Sequence, residues 1–529
     1  MKNVINRRDL LRHAGLGAGI AGATNLFGQA PAFLKHWERD ATAYPLMVQI
    51  GDITDGRATI WARSDRPSRM IVTWNTSDGS VLARRIPGPH CIETTDFTGR
   101  MELNGLPNGQ EIRFNVQFED LAQKARLSEP LSGKFRTVPT GRNDIRFLWS
   151  GDTAGQGWGI NREWGGMRIY ETMRRRDPNF FIHCGDTVYA DGPITEQVRL
   201  ADGTIWRNVI TEETSKVAET LDEFRGRYKY NLLDDNVRRF SAEIPQIWQW
   251  DDHEVTNNWS GSKDVSGDAR YREKNVPLLV GRATKAFLEY APVRFSAEET
   301  ERVYRKLSYG PLLDVFVIDH RSYRTNNTFN LQDSETIDTQ YLGAEQREWL
   351  KAGLKASRAT WKVIASDMPI GLNVGDGRDA QGRARWEAVA NDDNGPARGR
   401  ELEFADLFGF IKQNNLRNIV WLTADTHYTG AHFYDPTKAK FTDFLPFWEF
   451  MSGPLNAGSF GPNTTDGTFG IQVMYQKHPP TGQVNLPPSA GLQFFGEVNI
   501  SGSTEVMTVV LRDLAGAALY TKELVPERV

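Results

Sequence analysis

The chain has 529 residues, a formal net charge of −4 and a mean hydropathy of −0.50. Its 63 Lys and Arg residues nearly balance 67 Asp and Glu residues, which argues against a nucleic-acid coat or a polybasic membrane binder, so we expect no stable nucleic-acid complex. No run of about 18 apolar residues occurs, so we expect no transmembrane segment in the mature protein. The two cysteines, Cys91 and Cys184, exclude a disulfide scaffold; we expect both to be free and buried, with a single bridge as the alternative.

Residues 1–32 have the organisation of a signal peptide. Arg7 and Arg8 precede a small, mildly apolar stretch at 14–23, and an A-x-A cleavage pattern occupies 30–32. The paired arginines and the Gly/Ala-rich stretch resemble a twin-arginine signal, which implies export by the twin-arginine machinery to a periplasmic or secreted location. The alternative interpretation is a basic helix N-terminus that contains two arginines by chance.

Short alternating segments between residues 43 and 136 predict strands. Residues 59–63, 70–74 and 111–118 have strand patterns, and Ser77-Asp78-Gly79 has the composition of a turn. Strands at this spacing predict an N-terminal all-β sandwich over residues 43–136, which a short linker separates from the rest of the chain.

After residue 143 the pattern changes to apolar strands that alternate with helical segments, which predicts an α/β architecture. Helices are expected at 167–176 and 214–239, the second with Thr214 or Ser215 as its N-cap. Six apolar strands are expected at 145–149, 179–184, 246–250, 312–318, 361–365 and 418–422.

An acidic residue stands just past the carboxyl end of each of these strands. The six acids are Asp152, Asp186, Asp252, Asp319, Asp367 and Asp425. Because sites in open α/β sheets form outside the carboxyl ends of the strands, these carboxylates are expected to converge. Carboxylates that lie close together repel one another unless cations separate them, so the pattern predicts a site for several cations. The alternative for any one of them is a helix cap or an Asx-turn.

Four motifs in this order resemble the calcineurin-like metallophosphatases, and more narrowly the alkaline phosphatase D (PhoD-type) phosphatase and phosphodiesterase family. They are Gly151-Asp152, Gly185-Asp186-Thr187-Val188-Tyr189, Trp250-Asp251-Asp252-His253-Glu254 and Ala424-Asp425-Thr426-His427. The resemblance runs from about residue 43 to the C-terminus. It implies an α/β fold for residues 143–525: a metallophosphatase-type sandwich of two mixed β-sheets flanked by helices, behind the N-terminal all-β sandwich.

The resemblance also implies at least two metal ions, with Asp186 as the ligand that bridges them. The other ligands expected for the first ion are Asp152, Tyr189 and His427. Those expected for the second ion are Asp252 and Asp425, with Asn257 as a further candidate. A phenolate ligand favours Fe³⁺ in the first position and an all-oxygen shell favours Ca²⁺ in the second, which are the metals that the family resemblance implies.

The chain departs from the family pattern at two points. The wider superfamily has Asn and His where Asp252 and Asp425 stand, and these harder ligands favour calcium further. PhoD-type proteins often carry a cysteine beside the first aspartate as an extra iron ligand, whereas Asp152 here lies among serine, glycine, threonine and alanine residues. The chain therefore lacks this extra iron ligand beside Asp152.

Two further residues are expected to act on the substrate. His253, directly after a predicted ligand, is the candidate acid that protonates the leaving group; its alternative is a structural histidine. Arg321 either holds a phosphate or forms a salt bridge beneath the site.

Together these residues predict metal-dependent hydrolysis of phosphate esters, either monoesters or diesters. Lipid headgroups, as in a phospholipase D-like enzyme, teichoic-type polymers and nucleotides are all open as diester substrates. From a different class, a calcium-stabilised binding module without catalysis is the alternative.

Overall fold

The computed structural model describes residues 44–123 and 125–528, so the expected signal peptide at 1–32 lies outside the described residues. None of the helices within these ranges is both long enough and apolar enough to cross a membrane. Both cysteines are buried and free, as expected.

The described residues form strands and helices in the following order. The first twelve strands are β1 (Met47–Thr54), β2 (Arg57–Arg63), β3 (Ser68–Thr76), β4 (Arg84–Cys91), β5 (Thr98–Asn104), β6 (Glu111–Asp120), β7 (Leu131–Arg136), β8 (Ile145–Ser150), β9 (Phe180–Cys184), β10 (Gln197–Arg199), β11 (Ile205–Arg207) and β12 (Gln246–Gln249). The next twelve are β13 (Arg305–Tyr309), β14 (Leu313–Val317), β15 (Trp361–Ala365), β16 (Gly375–Arg378), β17 (Ala384–Trp386), β18 (Ile419–Thr423), β19 (Thr429–Tyr434), β20 (Phe447–Met451), β21 (Ile471–Lys477), β22 (Phe494–Ile500), β23 (Met507–Asp513) and β24 (Ala518–Leu524). The helices are α1 (Arg168–Arg174), α2 (Leu221–Asn231), α3 (Asp235–Glu243), α4 (Val276–Tyr290), α5 (Ala344–Ala356) and α6 (Glu401–Gln413).

Two large mixed β-sheets pack face to face. The first has nine strands in the order β24-β23-β22-β8-β9-β12-β1-β2-β5, and the second has seven in the order β13-β14-β15-β18-β20-β19-β21. Strands β8, β9 and β12 run parallel in the first sheet, as do β14, β15, β18 and β20 in the second. The expected sandwich of two mixed sheets is therefore confirmed, and the six apolar strands lie where the sequence predicts them.

Apolar side chains from both sheets fill the space between them. Phe147 and Ile182 of the first sheet belong to the same buried cluster as Val315, Val363 and Val420 of the second. Helices cover the outer faces of the two sheets. Their buried residues form clusters separate from the one between the sheets: α1 and α3 contribute to one, α2 and α4 to another, and α5 and α6 to a third. This layered burial fixes the carboxyl ends of the parallel strands at one edge of the sandwich.

The N-terminal strands contribute to two different sheets. Strands β4, β3, β6 and β7 form a four-stranded sheet of their own, whereas β1, β2 and β5 extend the nine-stranded sheet. The parallel pairing of β1 with β12, at Gly51 and Gln246, connects these N-terminal strands to the rest of the nine-stranded sheet. Seven of the eight residues of β1 are buried, which is the pattern of an interior strand rather than of an edge.

The prediction of a single helix at 214–239 is wrong, since two helices occupy this region. Helix α2 begins only after Thr220, whose side chain accepts the N–H of Glu223 while the Glu223 carboxylate accepts the N–H of Thr220. Asp234 caps α3 by accepting the N–H groups of Asn236 and Val237. The expected cap Thr214 instead hydrogen-bonds within the preceding turn at Thr211. The apolar residues thus have helical spacing, but the capping residues determine where the helices begin.

Candidate metal centre

Several predicted ligands sit in loops with a left-handed backbone. Asp152, Asp186, Asp425 and His427 have φ angles of 63°, 52°, 66° and 61°. L-residues adopt this conformation rarely, and when they do it is often at a functional site whose surroundings hold the strain. The backbone also joins two of these loops, because Asp152 N–H donates to Gly185 O and Thr153 N–H to Asp186 O. The loops therefore hold Asp152 and Asp186 side by side.

The side chains at this edge form three overlapping groups whose potential ligand atoms lie within 4.8 Å of one another. The groups are Asp152, Asp186 and His427; Asp186, Asp252 and His253; and Asp251, Asp252 and Asp425. Asp186 is common to the first two groups and Asp252 to the last two. The structure thus brings together Asp152, Asp186, Asp252, Asp425 and His427 as expected, and it gives Asp186 a central position.

The residues fit a cation on electrostatic grounds. Both carboxylate oxygens of Asp152 and Oδ1 of Asp252 are buried and lack a hydrogen-bond partner among the described residues. Burial, and then repulsion from neighbouring carboxylates, raises the pKa of Asp152, Asp186 and Asp425 well above its usual range. Buried carboxylates without partners cost free energy, and bound cations would remove that cost.

Tyr189 and His427 lie on the Asp152 side of the site. The Tyr189 hydroxyl is 2.9 Å from His427 Nε2, and that nitrogen is 3.7 Å from Asp152 Oδ1. His427 Nδ1 lies 2.5 Å from the carbonyl oxygen of Gly458, so Nδ1–H donates there and Nε2 faces the site. A Cβ at Gly155 would lie 2.2 Å from the Tyr189 ring. Only glycine at position 155 therefore leaves room for the Tyr189 ring.

A segment after β20 holds the first ligand loop in place. The N–H groups of Leu455, Asn456 and Ala457 all donate towards the carbonyl oxygen of Asp152, at 3.1–3.2 Å. A Cβ at Gly453 would lie 2.2 Å from Asp152 Oδ2. The segment 453–457 thus cradles Asp152, which only the fold shows.

His253 pairs with an acid that sequence reasoning missed. Its Nδ1 lies 2.6 Å from Asp191 Oδ1, and Asp191 Oδ2 accepts the N–H of Asn257 at 2.8 Å. Burial alone would lower the pKa of His253, but Asp191 and Asp252 outweigh it and raise the pKa to about 10. The same contact lowers the pKa of Asp191 to about 2 against the effect of burial. The nearest signal in the sequence was an acid five positions after Asp186.

Arg321 lies beneath the site rather than in the cleft. Its side chain is fully buried; Nε donates to Asp251 Oδ1 at 2.6 Å and Nη1 to Glu387 Oε1 at 2.5 Å. Its Nη2 is 4.0 Å from Asp252 Oδ1. The guanidinium is buried and paired with the carboxylates of Asp251 and Glu387, so this geometry favours the salt-bridge alternative for Arg321 over direct contact with a substrate. Asp251, which holds Arg321, is a second acid that the sequence reasoning did not place in the site.

Two of the other strand-end acids, Asp319 and Asp367, lie outside the three groups. Asn257 is exposed and its side-chain N–H donates to Asn258 Oδ1, and its place as a metal ligand stays a prediction. Asp319 accepts the N–H groups of Arg321 and Ser322, which is the Asx-turn alternative. Asp367 lies 2.7 Å from His320 and 3.4 Å from Arg321. The strand-end acids thus divide into site residues and structural ones.

Two family models and a bacterial relative match this chain. Residues 147–511 match the family model of the PhoD-like phosphatases, and residues 28–139 match the model of the N-terminal domain of the same family. The chain is 25% identical over 485 residues to alkaline phosphatase D of Bacillus subtilis (strain 168). This alignment covers 87% of this chain and 77% of that protein.

Two solved structures share the fold. The structure of PhoD aligns with a TM-score of 0.67 at 20% identity, covering 92% of this chain and 90% of that one. Purple acid phosphatase PPD1 from yellow lupin (Lupinus luteus) seeds aligns with a TM-score of 0.53 at 11% identity, covering 90% of this chain and 73% of that one.

Proposed function

This chain belongs to the PhoD-like phosphatase family and is a phosphoester hydrolase, and on that premise we propose that it hydrolyses phosphate esters with metal ions held around Asp186. The observation that carries the proposal is the set of overlapping groups at the carboxyl ends of the parallel strands, with buried and unpartnered oxygens on Asp152 and Asp252. A non-catalytic calcium-binding module is no longer needed to explain the acids.

The residues present fit two kinds of metal ion. Asp152, Asp186, Tyr189 and His427 would hold Fe³⁺, because a phenolate favours a hard, oxidised metal. Asp186, Asp252 and Asp425 would hold Ca²⁺ through oxygen atoms alone. When bound, the metals would supply Lewis acidity and neutralise the charge of the phosphate.

The chain itself supplies the proton for the leaving group. His253 lies beside Asp186 and Asp252, and its backbone N–H donates to Asp186 Oδ1 at 3.2 Å. Asp191 holds Nδ1, which leaves Nε2 of the protonated ring free to donate to the leaving oxygen. Asp191 thus fixes the orientation of the ring and favours its charged form.

Export remains part of the proposal. Arg7 and Arg8 support secretion through the twin-arginine route to the periplasm or the medium. Replacing both by Lys is expected to leave the precursor in the cytoplasm; normal secretion of that variant would contradict the export proposal and leave the enzyme proposal intact. The domain bounds 43–136 and 143–525 also remain predictions.

The activity is tested with bis-p-nitrophenyl phosphate and p-nitrophenyl phosphate side by side, using purified mature protein. We expect hydrolysis of at least one ester, two or more metal equivalents by elemental analysis, and joint loss of metal and activity in Asp186→Asn. Asp319→Asn is the matched control, because this strand-end acid serves a turn that asparagine can also form. A metal-free protein with full activity would contradict the mechanism, and the ratio of the two rates would separate a monoesterase from a diesterase.

A further inference from the structure

A cleft with a cavity of about 330 Å³ opens beside the proposed acid. Tyr189 and His253 form part of its wall, together with a loop that carries Asn257, Lys263 and Arg270. The cavity thus lies on the side of the site from which His253 would protonate a leaving group. Charged groups in its wall should therefore contact whatever the leaving alcohol carries.

Most of the charges in this wall are already paired. Arg270 donates to both oxygens of Asp268, at 2.6–3.0 Å, and to the carbonyl oxygen of Asp191. His253 is paired with Asp191. The carboxylate of Asp264 forms no ion pair among the described residues, but it accepts the N–H and the hydroxyl of Ser266 at 2.7 and 2.8 Å. These groups have partners within the protein and need none from a ligand.

Lys263 differs from them. Its ammonium donates to the carbonyl oxygen of Asn257 and forms no ion pair with any carboxylate in residues 44–123 and 125–528. An ammonium has three N–H donors, so this one keeps donors for a ligand. A lysine side chain of intermediate exposure in a cavity wall, without a counter-ion, favours an anion there.

A chain of direct contacts fixes Lys263 relative to the proposed acid. His253 contacts Asp191, Asp191 accepts the N–H of Asn257, and the carbonyl of Asn257 accepts the Lys263 ammonium. The ammonium is thus held on the leaving-group side, beyond His253.

We propose that Lys263 binds a second anionic group carried by the leaving alcohol, so that the preferred substrates are phosphate esters whose leaving group bears a further phosphate. This inference rests on the proposed function and deepens it. The charge-assisted hydrogen bond would strengthen binding without taking part in the chemistry.

The test measures competitive inhibition of bis-p-nitrophenyl phosphate hydrolysis by 1,3-propanediol monophosphate and by 1,3-propanediol bisphosphate. The two probes differ only in the second phosphate. For the wild-type holoenzyme we expect the bisphosphate to bind at least about tenfold more tightly, a typical effect of one charge-assisted contact. In Lys263→Met the preference should fall to about twofold, the statistical value for two equivalent phosphates.

Lys274→Met is the matched control. Lys274 belongs to the same loop and carries the same charge, but its ammonium donates to the carbonyl oxygens of Val265 and Asp268 and does not contribute to the cavity wall. Its variant should keep both the activity and the tenfold preference. Lys263→Arg keeps the charge and should retain most of the preference. It therefore shows whether the effect of Lys263→Met comes from the lost charge or from misfolding.

Each outcome of this test either supports or overturns the inference. No preference for the bisphosphate in an active wild type, or an equal loss in the Lys263 and Lys274 variants, overturns the inference and leaves the proposed function standing. A wild type that contains its metals but hydrolyses neither p-nitrophenyl ester overturns the proposed function and the inference together.

Discussion

The carboxylate of Glu254 accepts hydrogen bonds from both the backbone N–H and the hydroxyl of Thr187, each at 2.6 Å. Its other oxygen accepts the N–H of Asp251 at 2.8 Å. Thr187 follows Asp186 and Asp251 precedes Asp252, so one fully buried carboxylate joins the two loops that carry these ligands. Glu254 is therefore placed to set the separation of Asp186 and Asp252.

We expect Glu254→Gln to weaken metal binding by about 10–100-fold, the usual effect of losing a group that orients ligands. Glutamine offers one acceptor oxygen and directs an NH₂ at donors that need an acceptor. Metal titration of the apoprotein measures the effect. Glu403→Gln is the control, since Glu403 also accepts two backbone N–H groups, from Tyr341 and Leu342, but lies outside the site. Equal metal affinity in both variants would contradict the role of Glu254.

His253→Ala should slow hydrolysis by about 10²–10⁴-fold, the usual contribution of a positioned acid. The loss should be largest for alkyl esters with high-pKa leaving groups and smaller for p-nitrophenyl esters, because p-nitrophenolate departs without a proton. Rates across a leaving-group series, with metal content measured in parallel, check this. Loss of metal would make His253 a ligand, and an equal loss for all leaving groups would indicate phosphate binding instead.

Gly453→Ala should remove metal from the Asp152 side and lower activity with it. The new Cβ would lie 2.2 Å from Asp152 Oδ2, so the carboxylate must move. Elemental analysis of the purified variant gives the metal content. Gly281→Ala in α4 is the control, because a Cβ there meets nothing within 4 Å and alanine favours the helix. Full metal content in Gly453→Ala would show that the loop adapts.

Tyr189→Phe should abolish a visible charge-transfer band if Tyr189 is a phenolate on Fe³⁺. Burial and the neighbouring Asp186 raise the pKa of Tyr189 well above its usual range, so the phenolate needs a cation to form. Absorption spectra of the concentrated proteins test this. Tyr228→Phe, which changes another buried tyrosine whose ring stacks on Tyr290, should keep the band. A colourless and fully active wild type would remove the ferric assignment.

The stability of the protein should depend on pH through Glu497. Its side chain, 1% exposed, takes two bidentate pairs of hydrogen bonds, from Arg176 and from Arg512. Burial alone would raise the pKa of Glu497, but these contacts outweigh it and lower the pKa to about 2. Because the folded-state pKa lies below the unfolded value of about 4.3, this stabilisation is present above pH ~4.3 and is lost as the pH falls towards 2.

Glu497→Gln should therefore lower the Tm at pH 7 by about 2 °C or more, and the difference from wild type should shrink between pH 4.5 and pH 2.5. Thermal unfolding at several pH values measures both quantities. Glu523→Gln, at an exposed position of β24, should change the Tm little at any pH. A Tm difference that stays constant down to pH 2.5 would contradict the assignment to Glu497.

Local patterns in the sequence were sufficient for the strands and for most of the site. Apolar runs of five or six residues predict buried strands, and an acid directly after each run predicts where Asp152, Asp186, Asp252 and Asp425 converge. These inferences succeed because strand formation and the position of a strand end depend on neighbouring residues. The motif order then indicates the family.

The tertiary structure decided which side chains face the cleft and which support it. Asp191 pairs with His253, and Arg321 pairs with Asp251 and Glu387. Each of these contacts joins residues more than 60 positions apart in the sequence. Such pairings depend on how two sheets and their loops pack, and no local period encodes them. The sequence by itself therefore determined the strands, their acids and the family, whereas burial and long-range packing alone assigned the roles of the supporting residues.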